Sequence, residues 1–345
     1  MRQMFQPVLV AAVLALSGAG VQAKQKVCVF DILGANGDAF NTAKDYALEM
    51  QRHGADLELK VYIDERVAVE DYRTGQCDAV MATALRTRAF NPLTAALDSV
   101  GASTIVKDGR LDMAASEEVV RRAIQTYASP KAAHLMVQGG HEVGGIVPMG
   151  AAYAFVNDRA ISNLEAASGK RVAAFDHDKA QAELISQVGA RPVAVDVTNF
   201  GTMFNNGNVD VIMAPSLAYK PLELNKGLGT KGAVHRFPLT ILTYQMVFRP
   251  DRFPAGYGQK SREVWLSRFD QVLQLTRQAD AAIPAALWMD PSPADAQRYV
   301  QLMRDGRIEM ANKGFYDKRG LKILKRLRCD VYPGAAECSL PTENW

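Results

Sequence analysis

Charged residues sit at two places where an apolar run gives way to a loop. Arg86 and Arg88 follow Cys77–Ala82, and Asp176, His177 and Asp178 follow Arg171–Phe175. Guanidinium groups grip carboxylates in a two-pronged fork. The arginines are therefore candidates for an acidic group on a ligand, with a solvated pair or a structural salt bridge as the plain alternative. The Asp-His-Asp turn either binds a ligand amine or caps a helix. Catalytic patterns do not complete. His141-Glu142 begins like a zinc-protease helix, but no second His follows four residues on, and Gly144-Gly145 oppose a helix. The sequence contains neither a Gly-x-Ser-x-Gly elbow nor a phosphate loop ending in Lys-Ser/Thr. No catalytic residue, metal or cofactor is expected, and a hydrolase using Asp176, His177 or Glu223 is the weakest of three readings.

The elements that must hold these residues alternate. Lys26–Asp31, Leu57–Ile63 and Cys77–Ala82 read as short buried strands, with helices over Asp38–His53 and Glu65–Arg73 between them. The order β-α-β-α-β implies right-handed crossovers and a parallel sheet. Arg171–Phe175, Pro192–Val195 and Val209–Met213 repeat the pattern, with helices over Lys179–Val188 and Phe200–Asn205. Ala151–Val156 and Ile241–Phe248 read as two strands crossing between the halves. Gly139–Gly150 reads as a glycine-rich loop, and His141 as an exposed residue on it. Ser129 is expected to cap the helix that restarts at Pro130. The remainder is helical: Ser261–Ala282, a helix starting at Ser292-Pro293-Ala294-Asp295, and Leu321–Leu327. The basic cluster Lys318–Arg328 reads as a solvated helix face.

Three short marks recur in order. Val27-x-x-Phe30-Asp31 matches Val172-x-x-Phe175-Asp176, and Gly54-Ala55 matches Gly189-Ala190. Gly75-x-x-Asp78 with Met81-Ala82 matches Gly207-x-x-Asp210 with Met213-Ala214. Two such units are too long and too few for a solenoid. They predict two similar α/β lobes: residues 24–150, residues 151–248 with the crossing strands, and a helical segment 249–345 that helps complete the first. Met81 and Met213 are expected in separate sheets. In parallel α/β lobes, ligands bind beyond the carboxyl ends of strands and near helix N-termini. The edges Asp31–Asp38, Thr83–Arg88, Asp176–Asp178 and Pro215–Tyr219 would then face one gap. That makes Asn36, Asp38, Thr83, Arg86, Arg88, Asp176, His177, Pro215, Ser216 and Tyr219 candidate ligand residues. Tyr153, Phe155, Tyr244 and Gln245 join them from the crossing strands. Asn36 and Asp38 equally suit helix capping, and the tyrosines equally suit hinge packing.

Bulk properties narrow the class. Arg2, the apolar run Val8–Leu16 and Val21-Gln22-Ala23 form a secretory leader cleaved after Ala23, so a periplasmic, monomeric protein is expected. A net charge of +3 is too balanced to argue for nucleic acid. Four cysteines in an exported chain invite disulfides. Of three pairings, Cys28–Cys77 and Cys329–Cys338 are preferred: the first joins neighbouring strands, the second closes a small loop around Pro333-Gly334. Free thiols or a metal site are the alternatives.

Leader, doubled lobe, crossing strands and helical additions together resemble periplasmic substrate-binding proteins, and among them the DctP-like receptors of TRAP-type transporters. The carriers are Gly169-Lys170-Arg171-Val172 through Gly189-Ala190-Arg191-Pro192, then Gly207–Asp210 and Tyr219. Val27–Gly37, Gly207–Pro215, Leu222-Glu223-Leu224 and Glu337-Cys338-Ser339-Leu340 further resemble the AdeT-like solute-binding proteins. The resemblance implies a small polar or charged solute held between the lobes, hinge closure, and a membrane permease as partner. A periplasmic interaction protein without a ligand is the alternative. One departure stands out. DctP-like receptors place a carboxylate-clamping arginine where this chain has Ala173, with Arg171 one pleat earlier on the same face.

Overall fold

A computed structural model describes residues 24–345. The leader expected at residues 1–23 lies outside them. The first half runs β1 (Gln25–Phe30), α1 (Asp38–Gln51), β2 (Leu57–Tyr62), α2 (Glu65–Arg73) and β3 (Ala79–Thr83). A long helix, α3 (Met113–Ala128), leads to β4 (His141–Val156). The second half runs β5 (Arg171–Phe175), α4 (Lys179–Gln187), β6 (Arg191–Val195), α5 (Phe200–Asn205) and β7 (Val211–Pro215). Strand β8 (Thr240–Phe248) returns, followed by α6 (Tyr257–Ser267), α7 (Phe269–Ala281), α8 (Pro293–Asn312) and α9 (Lys318–Val331).

The path through the sheet is β2-β1-β3-β8-β4-β7-β5-β6. Each half contributes three parallel strands with its first strand in the middle, and each third strand lies antiparallel to a crossing strand. The expectation of separate sheets needs correcting. Strand β4 pairs with β8 up to Ala152 and with β7 from Ala152 onward, so Met81 and Met213 belong to one hydrogen-bonded ladder. The cause is the length of β4, sixteen residues, which spans both half-sheets.

The repeated marks are structural. Asp78 accepts the Lys26 amide through Oδ2 at 2.9 Å, and Asp210 accepts the Arg171 amide through Oδ2 at 2.9 Å. Each Asp amide donates back to the carbonyl of that same residue, at 2.8 and 2.7 Å. Each Asp carbonyl also receives the amide just past a crossing strand, Arg249 or Asn157, at 3.0 Å. The aspartate thus clamps three strand ends, which is why it recurs. Gly75 and Gly207 precede it with φ of +84° and +69°, a left-handed turn that ends the preceding helix without Cβ strain.

The glycine-rich stretch is strand rather than loop. A Cβ on Gly145 would lie 2.0 Å from Cδ1 of Trp265, and one on Gly144 would lie 3.0 Å from Phe248. Bare backbone here lets α6 lie directly on β4, with Trp265 stacked on Tyr46 at 4.5 Å. His141 is half-buried against Tyr72, its Nδ1 2.6 Å from the tyrosine hydroxyl. The single helix expected over Ser261–Ala282 is two helices, meeting at Arg268, where the Arg268 amide bonds the Trp265 carbonyl in a tight turn. Ser129 does not cap; its hydroxyl donates to the Thr126 carbonyl at 2.8 Å. Ser292 does cap, accepting the Asp295 amide at 3.1 Å.

The basic C-terminal helix departs from expectation on one face: Lys318, Arg319, Lys322 and Arg326 are exposed as expected, but Lys325 and Arg328 are buried. Arg328 is 1% exposed, with Nε 2.7 Å from Glu337 and Nη1 2.7 Å from the Ala102 carbonyl. Lys325 donates to the carbonyls of Leu340 at 2.7 Å and Thr342 at 2.5 Å. Arg307 donates to the buried Glu343 at 2.8 Å. These charges face inward because they hold the C-terminal tail against α8 and α9. Burial pushes the Glu337 carboxyl up, but its bonds to Arg328 and the charges of Arg328, Arg307 and Lys325 outweigh that and hold it at about 2. Cys329 is joined to Cys338 and Cys28 to Cys77, with Cα–Cα separations of 5.6 and 5.9 Å.

Candidate functional site

Thr83 ends β3, and the short helix Ala84–Thr87 carries Arg86 off it. Phe175 ends β5, and Asp178 caps α4 by accepting the Gln181 amide at 3.1 Å. Strands β3 and β5 run in opposite directions through the ladder, so their carboxyl ends point toward each other and deliver both charged turns to one gap between the half-sheets. Across the gap, Arg86 Nη2 lies 3.6 Å from Asp176 Oδ1, and Arg88 Nη1 lies 3.5 Å from Asp178 Oδ1. Arg66 Nε and Asp196 Oδ2 add a third cross-gap pair at 3.9 Å. Residues distant in sequence converge here.

Beneath Arg86 lies Glu65, which in the sequence is marked only as the start of a helix. Glu65 Oε1 accepts the Thr83 amide at 2.6 Å, and Oε2 sits 3.8 Å from Arg86 Nε. Burial raises its carboxyl to about 7, against the opposing pull of Thr83 and Arg86. Arg86 is 12% exposed, yet its buried Nε and Nη2 find no hydrogen-bond acceptor among the described residues. His177 Nδ1 lies 3.2 Å from Asp176 Oδ1, so this nitrogen carries the proton. Burial, then the Arg86 charge, lower the imidazole below its ordinary value. The neutral ring leaves Nε2 as a buried acceptor, also unpartnered among the described residues.

The remaining candidates are distributed around this cluster. Tyr244 is buried on β8, opposite Thr83, and packs on Phe30 at 6.3 Å. With Asp38, Met81 and Leu217 it lines a cavity of about 50 Å³ between the halves. Gln245 is fully buried and accepts from Thr94 Oγ1 at 3.0 Å. Asn36 is exposed. Neither Asn36 nor Asp38 caps α1: Asp31 does so, accepting the Phe40 amide at 3.0 Å, and its carboxylate fills the space a Cβ on Gly37 would need. Pro215 and Ser216 are buried at the end of β7, and Tyr219 stacks on Phe155 at 6.2 Å.

Tyr153 lines a different space. Its hydroxyl donates to Asp280 Oδ2 at 3.1 Å, and Trp288 meets its ring edge-on at 4.9 Å. Both border an open groove of about 1110 Å³ with Glu117, Arg236 and Arg277. No sequence signal points to this groove, since its walls come from segments far apart in the chain. Arg171 is not a clamp. It lies at the opposite end of β5, paired with Asp210 at 2.6 Å, and holds that carboxyl at about 2. Ala173 is buried and supplies no charge. Glu223 pairs with Lys226 at 2.6 Å in an exposed turn. Among the described residues, no cluster of His, Cys, Asp and Glu is suited to a metal ion, and no helix is long and apolar enough to cross a membrane.

Residues 51–343 match the family model described as solute-binding protein AdeT 1/2. The chain is 44% identical over 315 residues to "Probable solute-binding protein AdeT1" of Acinetobacter baumannii, covering 91% of this chain and all of that one. It is 27% identical to "Probable solute-binding protein AdeT2" of the same organism, over 65% of this chain and 94% of that one. Among solved structures it is similar to a TRAP periplasmic solute-binding protein from Desulfovibrio salexigens with bound orotic acid. The TM-score is 0.71 at 16% identity, covering 89% of this chain and 99% of that one. A Shewanella oneidensis counterpart with bound succinate gives a TM-score of 0.68 at 12% identity, over 89% of this chain and all of that one. At these identities the structural matches speak for the two-lobed fold alone. The chain therefore belongs to the AdeT1/2 family of solute-binding proteins.

Proposed function

We propose that the chain is an exported, monomeric receptor that holds one small polar acid between its halves, at the carboxyl ends of β3 and β5, and presents it to a membrane permease. Arg86 carries this reading. A buried guanidinium with two N–H groups lacking acceptors is costly unless a ligand completes it. In this arrangement Asp176, at 3.6 Å, stands near the place an acid group on the solute would take. Neutral His177 Nε2 accepts a hydrogen bond, so the solute pairs its acid group with a hydroxyl or an amine. Tandem use of Arg86 and His177 replaces the clamp missing at Ala173. It also explains how organic-acid binding, which two structural relatives display, would persist here.

Release requires opening. The three cross-gap pairs close the structure, and the strands joining the halves contain natural weak points. The β4–β8 register slips between Leu242 and Thr243, opposite Gly150 and Pro148, leaving Met149 as an extra residue. Gly150 has φ of +99° there. A bulge at the passage between half-sheets suits a hinge. The lobes then divide near residue 150, with 249–345 packed mainly on the first.

Titration calorimetry of the chain from Lys24 against hydroxy acids and amino acids tests this, with X-ray scattering to follow compaction. A charge-assisted hydrogen bond is worth roughly 1.5–3 kcal/mol, so Arg86→Gln should weaken binding about 10- to 100-fold. Binding untouched by Arg86→Gln but lost in Trp288→Ala would place the solute in the groove and defeat this site.

A further inference from the structure

Behind the second half-sheet lies a cavity of about 210 Å³ that meets the gap's charged residues only at Asp178 and leaves Arg86, Asp176 and His177 outside its lining. Its floor is the face of the sheet carrying Ala152, Ala154, Val172, Val211 and Met213. Its walls include Leu164, Leu184, Ile185 and Val188, and α8 contributes Tyr299 and Leu302. Helix α4 is apolar on this side, yet only Ala180 is fully buried, and Leu184 and Ile185 remain half-exposed. Ile185 and the following Val188 pack on the small apolar cluster around Val156, Val172 and Val211, which is separate from the main core, so the space lies beside that contact. Leu184 turns instead toward α8, so near Gly306 that a Cβ there would be 2.6 Å from Cδ2.

The polar groups at the edge are already engaged, Asp178 by the Gln181 amide at 3.1 Å and by Arg88 at 3.5 Å. Asn163 accepts the Ala166 amide at 3.0 Å, and Gln181 Oε1 accepts the Phe175 amide at 2.7 Å. Asp98 takes the Thr243 amide and hydroxyl at 2.7 and 2.6 Å. His235 Nε2 donates to the Ile161 carbonyl at 2.7 Å. Such a space offers little to hydrate a polar guest. An engineered aliphatic cavity of about 150 Å³ stays dry and takes benzene.

We infer that this cavity is a second binding site, distinct from the Arg86 gap, for a small uncharged apolar molecule of one to two aromatic rings. Indole and toluene are suitable probes, followed by saturation-transfer NMR and thermal shift on the disulfide-bonded chain from Lys24. Saturable binding of both is expected. Ala154→Phe, which fills the floor, should weaken it at least tenfold. Leu184→Ala, which enlarges the space, should admit naphthalene more tightly than the parent chain does, and this arm survives any folding defect in Ala154→Phe. No saturation of parent or Leu184→Ala at millimolar probe would overturn the inference, as would equal affinity in Ala154→Phe. Loss of indole binding in Arg86→Gln would move the probe into the gap and overturn it too.

Discussion

Glu65 makes the electrostatics of the gap measurable through Glu65→Gln. Burial lifts its carboxyl from an ordinary 4.5 to about 7. The folded state therefore binds more protons than the unfolded state between these values, so stability falls as pH rises through that window. At about 1.36 kcal/mol per pH unit, the fall due to Glu65 is about 3 kcal/mol. It is absent below the unfolded pKa and complete above about 7. Glutamine keeps an oxygen for the Thr83 amide, 2.6 Å away in the parent chain, and removes the titration. Asp98, also raised to about 7 by burial, titrates in both proteins and cancels in the difference. Urea unfolding at about pH 4.5, 6.0 and 7.5 should show Glu65→Gln gaining on the parent chain by up to about 3 kcal/mol as pH rises. Parallel profiles for the two proteins would refute the assignment of a buried, proton-binding Glu65.

Three further outcomes follow from packing and covalent structure. Gly145→Ala should cost about 1–3 kcal/mol or more by overpacking, and Trp265→Leu in the same chain should restore part of it; urea midpoints read both. Arg328→Leu removes the two bonds to Glu337 and leaves Arg307 as the remaining arginine for both Glu337 and Glu343, a loss of up to roughly 3–5 kcal/mol, and hydrogen exchange should rise across residues 336–345. Replacing Cys28 and Cys77 with serine opens a span of 49 residues. By the loop-entropy argument this costs about 4 kcal/mol, seen as a lowered Tm that added reductant does not lower further through this bridge.

Much of the scaffold was legible in the residue pattern. Periodicity placed α2 and α5 at their observed bounds, and the doubled Gly-x-x-Asp mark announced two alike halves. Such signals are local: a helix stripe or a tight turn depends on neighbours a few positions away. The same locality explains the failures. Glycines at 144, 145 and 150 look like a loop until Trp265 and α7 are laid over them. Lys325 and Arg328 look solvated until the tail folds back.

At the gap the division is sharper. Residue order suffices to say which edges carry charge, because the carboxyl ends of parallel strands follow from the β-α-β-α-β order. That Arg86 faces Asp176, that Arg88 faces Asp178, and that Glu65 lies buried beneath them emerges when the two half-sheets come together. Their union likewise assigns Tyr153 to another groove and leaves a space under α4. Partners so far apart along the chain are chosen by how the half-sheets meet across β4 and β8, and no short stretch of residues encodes that meeting.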